Sequence, residues 1–585
     1  MKDVGAPVTH WLRRFERALT GGDVAAIKGL FHADSHWRDV LALSWHIDTV
    51  SGADAVSDAL ALWAKRARPS GFVIDPDRAP PRIVMRAGAD TIEAIFRFET
   101  GQGRCSGVLR LTPVDGDTTP KAWTLLTSLE ELKGHEEQIG RARRPDGEAY
   151  SRDFRGPNWL DQRKAQEAFV DRDPAVLVVG GGQAGLAAAA RLSQLGLDTL
   201  IVDREQRIGD NWRKRYHALV LHNQVHVNHL PYMPFPPTWP AYIPKDKLAS
   251  WFEAYVESLE LNFWTSTEFL GGRFDEKADR WVVKLRRDGS EREMRPRHIV
   301  MATGVSGIPN IPAIPTLDAF AGTVMHSSRY QDGDEWSGKP ALVIGTGNSG
   351  HDIAQDLQSS GAEVTLVQRS STLIVNVEPS AQLPYALYDE GPSLEDCDLI
   401  TTATPLALGR RSHQILTAKA KQMDKPLLDG LERIGFRLDD GEEGTGWQYK
   451  YLTRGGGYYF NVGCSDLLVE GKIGLAQFAD IVRFEADSAV MRSGEKLRAD
   501  LVVLATGYKG QEQLVAKLFG QPVADKVGPI WGFGDGQELR NMFMATPQPG
   551  LWFIAGSLAQ CRIYSKYLAL QIKARELGLV PAAAA

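Results

Sequence analysis

Two stretches of this chain join an apolar strand to closely spaced glycines in a way suited to holding a diphosphate. In AVLVVGGGQAGLAAAARLSQLGLDTLIVDRE the strand at 175–179 runs into Gly180, Gly182 and Gly185, with Gln183 and Ala184 inside the turn and an alanine-rich helix after it. Glycines there let the chain turn tightly and let a pyrophosphate reach the first N–H groups of the helix, where the dipole favours anions. The next strand, LIVD, ends in Asp203, placed to accept hydrogen bonds from a ribose diol. The second stretch, PALVIGTGNSGHDIAQDLQSSGAEVTLVQRSS, has Gly345, Gly347 and Gly350 around Asn348 and Ser349. Its second strand ends in Gln368, Arg369 and Ser370 in place of an acid. Without a carboxylate there is no repulsion, and an arginine fork matches a 2′-phosphate. The first turn therefore suits the adenosine half of FAD and the second suits NADPH.

Such turns need a strand to deliver them and a helix to leave by. From Pro174 onward strands alternate with helices in the manner of a parallel sheet. The expected division is a first FAD-binding part at 174–335, an NADPH-binding unit at 336–508, and a C-terminal part at 509–585 completing the first. Turns reading ATG follow the strands HIVM and LVVL, and let the chain pass close to a bound cofactor. Residues 1–135 differ. Trp11, Leu12, Phe15 and Leu19 share a helical face, VAAIKGLF reads as a second short helix, and 53–66 as a third. Three alternating runs follow, with Ile92, Ala94, Phe96 and Phe98 on one face, then Cys105, Gly107, Leu109 and Leu111, then Trp123, Leu125, Thr127 and Leu129. The charged, turn-rich 136–173 reads as a linker. The fold class is thus α/β, two Rossmann-like dinucleotide-binding domains preceded by an α+β domain.

Between the two glycine turns lies FAGTVMHSSRY, with Phe320, Gly322, His326 and Tyr330. It resembles the FxGxxxHxxx(Y/F) fingerprint of the class B flavin-containing monooxygenases; Baeyer–Villiger enzymes usually carry Trp where this chain has Tyr330. IGDNWRKRY and LPYMPFPPTWP are similar to stretches of the plant and microbial members, including those that make auxin from indole-3-pyruvate. The resemblance covers the chain from about Ala175 to the C-terminal region. Helices followed by a bent sheet resemble the cone-shaped fold of nuclear transport factor and polyketide-cyclase-like (SnoaL-like) proteins, and an N-terminal extension of this length resembles the type II flavin monooxygenases. The resemblance implies FAD on Gly180, Gly182, Gly185 and Asp203 with Asn211 and Trp212 along the flavin, and NADPH on Gly345, Gly347 and Gly350 with Arg369 on the 2′-phosphate. It implies transfer of one atom of O2 to a small organic substrate through a C4a-peroxyflavin, by N- or S-oxygenation or by oxidation of a ketone or 2-keto acid. Where mammalian-type enzymes place an Asn over the flavin, a count back from Pro234 gives His222, beside Asn223, and the fingerprint adds His326 as a third catalytic candidate. A Baeyer–Villiger ketone oxygenase and an NADPH oxidase or reductase without dedicated oxygenation are the alternatives.

The remaining signals set limits. HNQVHVNH carries His222, His226 and His229, but it lacks helical amphipathy and PYMPFPP follows, so polar loop histidines are expected and a metal site is not. DDGEEG lacks EF-hand spacing and reads as a solvated turn. RGGGYYFNVG at 454–463 reads either as a loop edging the substrate cavity or as a turn with core aromatics. The formal charge of −6 argues against a generally basic nucleic-acid binder. Four cysteines without a CxxC make a thiol–disulfide centre or cysteine zinc site unexpected and fit a reducing compartment. No apolar run reaches the ~18 residues of a spanning helix, and the N-terminal stretch has no h-region, so a cytoplasmic protein without a membrane span is expected. Residues 1–135 read as a binding or dimerisation module, with a homodimer as the partner state.

Overall fold

The computed structural model describes residues 4–114, 117–142, 152–305 and 307–580. The N-terminal unit packs three helices, Gly5–Gly21, Val24–Lys28 and Ala53–Ala67, on a seven-stranded sheet. The apolar face of the first helix supplies an aromatic core: Trp11 stacks on Phe15 at 4.7 Å, and Phe15 meets the edge of Phe72 at 5.4 Å. The three expected strand runs lie within Ala89–Glu99, Gly103–Val114 and Asp117–Leu132. Four more strands join them, Phe31–Val40, Ile47–Ser51, Ser70–Ile74 and Arg82–Arg86. Phe31–Val40 hides in the sequence because its buried positions include Ser35, Arg38 and Asp39. Such positions break apolar alternation, yet each charge is partnered. Asp39 accepts from Leu43 N, Ser44 N, Ser44 Oγ and Thr127 Oγ1, while Arg38 reaches out of its own unit to Glu538.

The linker expected at 136–173 is partly structured. Asn158 and Asp161 form a reciprocal capping box that starts the helix Trp159–Ala168, and Arg163 of that helix donates to Asn262 Oδ1. Residues 143–151 lie outside the described residues.

Two five-stranded parallel sheets follow. The first runs in the order Asn262–Trp264, Thr199–Val202, Val176–Val179, His298–Met301, Leu551–Phe553, its last strand coming from the C-terminal segment. The second runs Thr323–His326, Leu501–Leu504, Pro340–Ile344, Glu363–Gln368, Gly474–Gln477. The expected boundary at 335 is therefore too late, because Thr323–His326 already pairs with Leu501–Leu504 in the second sheet. As a half-exposed edge strand it has no apolar run to announce it. Each unit also carries a three-stranded antiparallel sheet, at Thr267–Met294 in the first and Ile481–Arg498 in the second. Helices Leu394–Thr402, Leu406–Met423, Lys425–Arg433 and Gly446–Arg454 are inserted in the second unit between Glu363–Gln368 and Gly474–Gln477. Among the described residues no helix is long and apolar enough to cross a membrane.

Candidate active site

Both glycine turns have the same build. Gly180 has φ +108°, and a Cβ on it would stand 2.6 Å from Ala302 O; Gly345 has φ +119° and faces Ala505 O in the same way. Gly185 and Gly350 each sit against the carbonyl of the turn's first glycine, so each helix starts tight against its own strand. Gly182 and Gly347 are the N-caps of helices Gln183–Gln194 and Asn348–Ser359, and neither helix has a side-chain cap. The N–H groups of the first turns are thus left for an anion. Above Gly347 a Cβ would meet only Tyr458 O, at 3.9 Å, so open space lies over that turn. Both cradles fit a dinucleotide pyrophosphate.

Asp203 stands at the end of Thr199–Val202, where Oδ2 accepts the Gly181 N–H at 2.6 Å and Oδ1 the Glu205 N–H at 2.8 Å. It therefore shapes the first turn. Asn211 and Trp212 lie on the short helix Asp210–Arg213; the Asn211 amide faces Gly182, and Trp212 Nε1 donates to Gln183 Oε1 at 3.3 Å. Gln183 Nε2 in turn donates to Gly556 O at 3.1 Å. That contact reveals a group absent from the sequence-based set. Gly556 (φ +111°) and Ser557 open the helix Leu558–Glu576, Ser557 N donates to Tyr451 Oη at 3.0 Å, and Tyr451 donates to Gln560 at 2.7 Å. The small residues of LWFIAGS after an apolar strand were its signal. In the second unit Ala184's counterpart Ser349 follows Asn348, whose Oδ1 accepts the Phe460 N–H at 2.9 Å.

At the end of Glu363–Gln368 the three residues that stand in place of an acid separate. Gln368 is fully buried and exchanges hydrogen bonds with the backbone of Arg437, so its amide belongs to the protein interior. Arg369 and Ser370 are exposed, and Arg437 Nη2 donates to Arg369 O at 2.7 Å. Arg437 thus stands beside Arg369 as a second guanidinium. It lies 68 residues away in sequence, where no motif marks it.

His222 and Asn223 lie on Val220–Gln224, which pairs with Tyr242–Pro244. The Asn223 amide donates to Tyr385 Oη at 3.0 Å, and the His222 ring meets Phe460 edge-on at 5.5 Å. Burial pushes His222 down to about 4, which keeps the imidazole neutral. Gln382 holds the His222 carbonyl at 2.9 Å. The other two histidines of this stretch serve elsewhere: His229 Nδ1 accepts the Phe235 N–H, and His226 lies 3.5 Å from Asp389. Among the described residues no group of three or more His, Cys, Asp or Glu is placed to hold a metal.

His326 is committed to the chain. Its Nδ1 accepts the Ser328 N–H at 3.1 Å, and the other ring nitrogen donates to Gly507 O at 3.0 Å. It therefore fastens the second ATG turn and has no nitrogen left for a reacting atom. Tyr330 of the same fingerprint donates to Asp356 at 2.6 Å, and Tyr216 donates to Asp352 one helical turn earlier. Both tyrosines grip the helix that carries the second glycine turn. Burial pushes Asp352 up to about 7.

RGGGYYFNVG forms the buried strand Tyr458–Asn461, parallel to Leu373–Asn376. Tyr459 stacks on His351 at 4.0 Å, and Phe460 lies between His222 and Trp447. Trp447 also lines a cavity of about 500 Å³ between Leu373–Asn376 and the inserted helices. Lys421 pairs with Asp440 at 2.5 Å and Lys425 with Asp429 at 2.8 Å among its lining residues.

Comparison with known proteins agrees with the two-unit α/β fold. A family model described as pyridine nucleotide-disulphide oxidoreductase matches residues 177–387. Indole-3-pyruvate monooxygenase YUCCA1 of Oryza sativa subsp. japonica is 31% identical over 354 residues, 60% of this chain and 80% of that protein. Probable indole-3-pyruvate monooxygenase YUCCA4 of Arabidopsis thaliana is 31% identical over 338 residues, 57% of this chain and 76% of that one. Cyclohexanone monooxygenase from Rhodococcus sp. Phi1 bound to NADP+ shares the fold, with TM-score 0.52 and 16% identity over 69% of this chain and 85% of that one. Oxidized steroid monooxygenase bound to NADP does so with TM-score 0.51 and 19% identity, again over 69% and 85%.

Proposed function

The chain belongs to the flavin monooxygenase family, and from that premise we propose that it is an FAD-dependent enzyme that consumes NADPH and O2 to oxygenate a small organic substrate. The observation that carries the reading is the pair of like-built glycine turns, with Phe460 joining the His222–Asn223 strand to Asn348 of the second. FAD, when bound, supplies hydride acceptance and oxygen activation. Gly180, Gly182 and Gly185 would hold its pyrophosphate with Gln183 and Ala184 in the helix's first turn. Asp203 would take the ribose, and Asn211, Trp212, Gly556 and Ser557 would edge the ring system. Gly345, Gly347, Asn348, Ser349 and Gly350 would hold the NADPH pyrophosphate, with Arg369, Ser370 and Arg437 around the 2′-phosphate.

His222 and Asn223 would present the polar face to the reacting atoms. A neutral imidazole can accept or donate a hydrogen bond without adding charge, while Phe460, Trp447 and Tyr385 exclude water behind it. His326 positions the second ATG turn. Four buried, unpaired cysteines support a reducing, cytoplasmic setting. Helices followed by a curved sheet in residues 5–132 support the type II, SnoaL-like reading of the N-terminal unit.

The test is a substrate panel of amines, sulfides, ketones and 2-oxo acids, including indole-3-pyruvate, with NADPH oxidation, O2 uptake and product followed together. Tight coupling with one class identifies the substrate. NADPH oxidation yielding only hydrogen peroxide across the panel would favour the oxidase.

A further inference from the structure

The N-terminal unit contains no nucleotide fingerprint, yet some of its most buried charges point out of it. Arg110, 2% exposed, donates to Ile400 O at 3.1 Å and Ala403 O at 3.3 Å. Arg38 donates to Thr402 O at 2.6 Å. These carbonyls form the C-terminal end of the helix Leu394–Thr402, where the dipole favours cations. At the other end of that helix Asp396 accepts from Arg78 Nη1 at 3.1 Å and from Ala79 N at 3.0 Å. The helix is bolted to the N-terminal unit at both ends.

Between the bolts lies Asp398. Its carboxylate takes a two-pronged contact from Arg562, Nε to Oδ2 and Nη2 to Oδ1, both at 2.7 Å, and it accepts from Tyr388 Oη at 2.8 Å. Each partner leads to the candidate active site. Arg562 Nη1 donates to Val227 O and His229 O, both at 2.8 Å, fixing the turn after the His222–Asn223 strand. In that turn Asn228 donates to Asn223 O at 2.9 Å. Tyr388 lies in the segment Ser380–Asp389, from which Gln382 holds His222 O and Tyr385 takes the Asn223 amide.

We propose that Asp398 is a positioning residue for the His222–Asn223 strand, and that the N-terminal unit acts on the reaction by holding the helix that carries it. This rests on the functional reading only in that it names His222 and Asn223 as groups facing the reaction. The contacts stand without it. A bidentate arginine–carboxylate pair fixes orientation as well as distance, so both walls of the strand share one anchor. The N-terminal unit supplies no reacting group; it sets the place of one.

The experiment uses the full-length, flavin-loaded protein and three variants, Asp398→Asn, Tyr388→Phe and Arg110→Met. Tyr388→Phe removes the hydroxyl that reaches Asp398 and leaves no buried charge unpaired, since Arg562 still holds the carboxylate. Arg110→Met leaves Glu93 paired with Arg82 and Arg86, each at 2.9 Å. Hydrogen exchange is followed by mass spectrometry. Peptides covering 220–229 and 380–389 should exchange at least tenfold faster in Asp398→Asn and at least threefold faster in Tyr388→Phe. The glycine-turn helices should be unchanged. In Arg110→Met the 220–229 peptide should also speed up, although the substitution lies in another unit. With thioanisole as a sulfide probe, sulfoxide formed per NADPH should fall at least threefold while the KM for NADPH stays within twofold, a split that general loosening would not give. Unchanged exchange at 220–229 in the first two variants overturns the proposal, and Tyr388→Phe alone decides if Asp398→Asn does not fold. Unchanged exchange there in Arg110→Met overturns the part assigned to the N-terminal unit. A wild-type protein that neither holds flavin nor consumes NADPH would refute the functional reading instead, and the exchange arm would still decide the positioning role.

Discussion

Gly347→Ala and Gly350→Ala differ by three positions and should fail for different reasons. A Cβ at Gly350 would stand 1.9 Å from Gly345 O, whereas real Cβ contacts begin near 3.0 Å, so helix Asn348–Ser359 must move about 1.1 Å off its strand. A displacement of about 1 Å can lower a rate by about 10²-fold. Alanine is favoured over glycine in a helix by about 1 kcal/mol, so intrinsic propensity works against the loss and any destabilisation comes from the clash. At Gly347 the nearest protein atom to a Cβ is Tyr458 O at 3.9 Å, and the residue already has φ −82°. The unliganded protein should therefore tolerate alanine there: the N-cap preference for glycine over alanine and the entropy that alanine removes from the unfolded chain offset to within about 0.5 kcal/mol. The space that Cβ enters is the space assigned to the NADPH pyrophosphate. The assay is the KM for NADPH by initial rates, with flavin content by absorbance and urea midpoints alongside. Gly347→Ala should raise the KM at least tenfold with flavin and midpoint retained. Gly350→Ala should lose NADPH use and some stability while keeping its flavin. A Gly347→Ala protein with wild-type KM would mean that the pyrophosphate does not sit over this turn.

Three other outcomes follow from the same geometry. Arg369→Ala and Arg437→Ala should each raise the KM for NADPH and leave that for NADH nearly unchanged. The loss of one charge-assisted contact is worth about 1.5 kcal/mol, the low end because both groups are exposed, which is roughly a tenfold shift. Stability should fall as pH drops from about 6.5 towards 4, because burial holds His222, His229, His351 and His413 near about 4 and the unfolded chain binds those protons first. Asp352, raised to about 7, acts in the opposite direction over that window and offsets one histidine; a urea midpoint that is flat between pH 7 and 5 would contradict this. Removing residues 1–135 should leave the flavin site formed but give an unstable or self-associating protein, read by size-exclusion chromatography with light scattering. The cut bares Glu538 and the carbonyls of Ile400, Thr402 and Ala403, all now held by Arg38 and Arg110.

What could be read in advance was local. A glycine turn is encoded within about ten residues, between an apolar strand and a helix, and both turns stand where that pattern puts them. His326 was visible as part of a fingerprint, but its use was not, since the Gly507 carbonyl that engages it lies 181 residues away. Gln368 and Arg369 are neighbours that face opposite ways, and only the packing of Arg437 against the strand end decides which is buried. Phe31–Val40 was missed because its buried charges have partners as distant as Glu538. The link from Arg110 through Asp398 to Asn223 is entirely of this kind. It joins four separate stretches, none with a motif, and depends on helix orientation rather than residue pattern.

The first sheet closes with Leu551–Phe553, which lies beside His298–Met301 although some 250 residues of chain separate them. During synthesis from the N-terminus the ribosome therefore makes Val176–Val179, Thr199–Val202 and His298–Met301 long before their last neighbour. The second unit lies wholly within the gap and can assemble first. Until Leu551–Phe553 emerges, His298–Met301 is a bare apolar edge, the kind of strand that pairs with other chains. Expression yield should thus be governed less by any one site than by how fast the C-terminal segment arrives to cover that edge, and slower synthesis between 301 and 551 should lengthen the exposed interval.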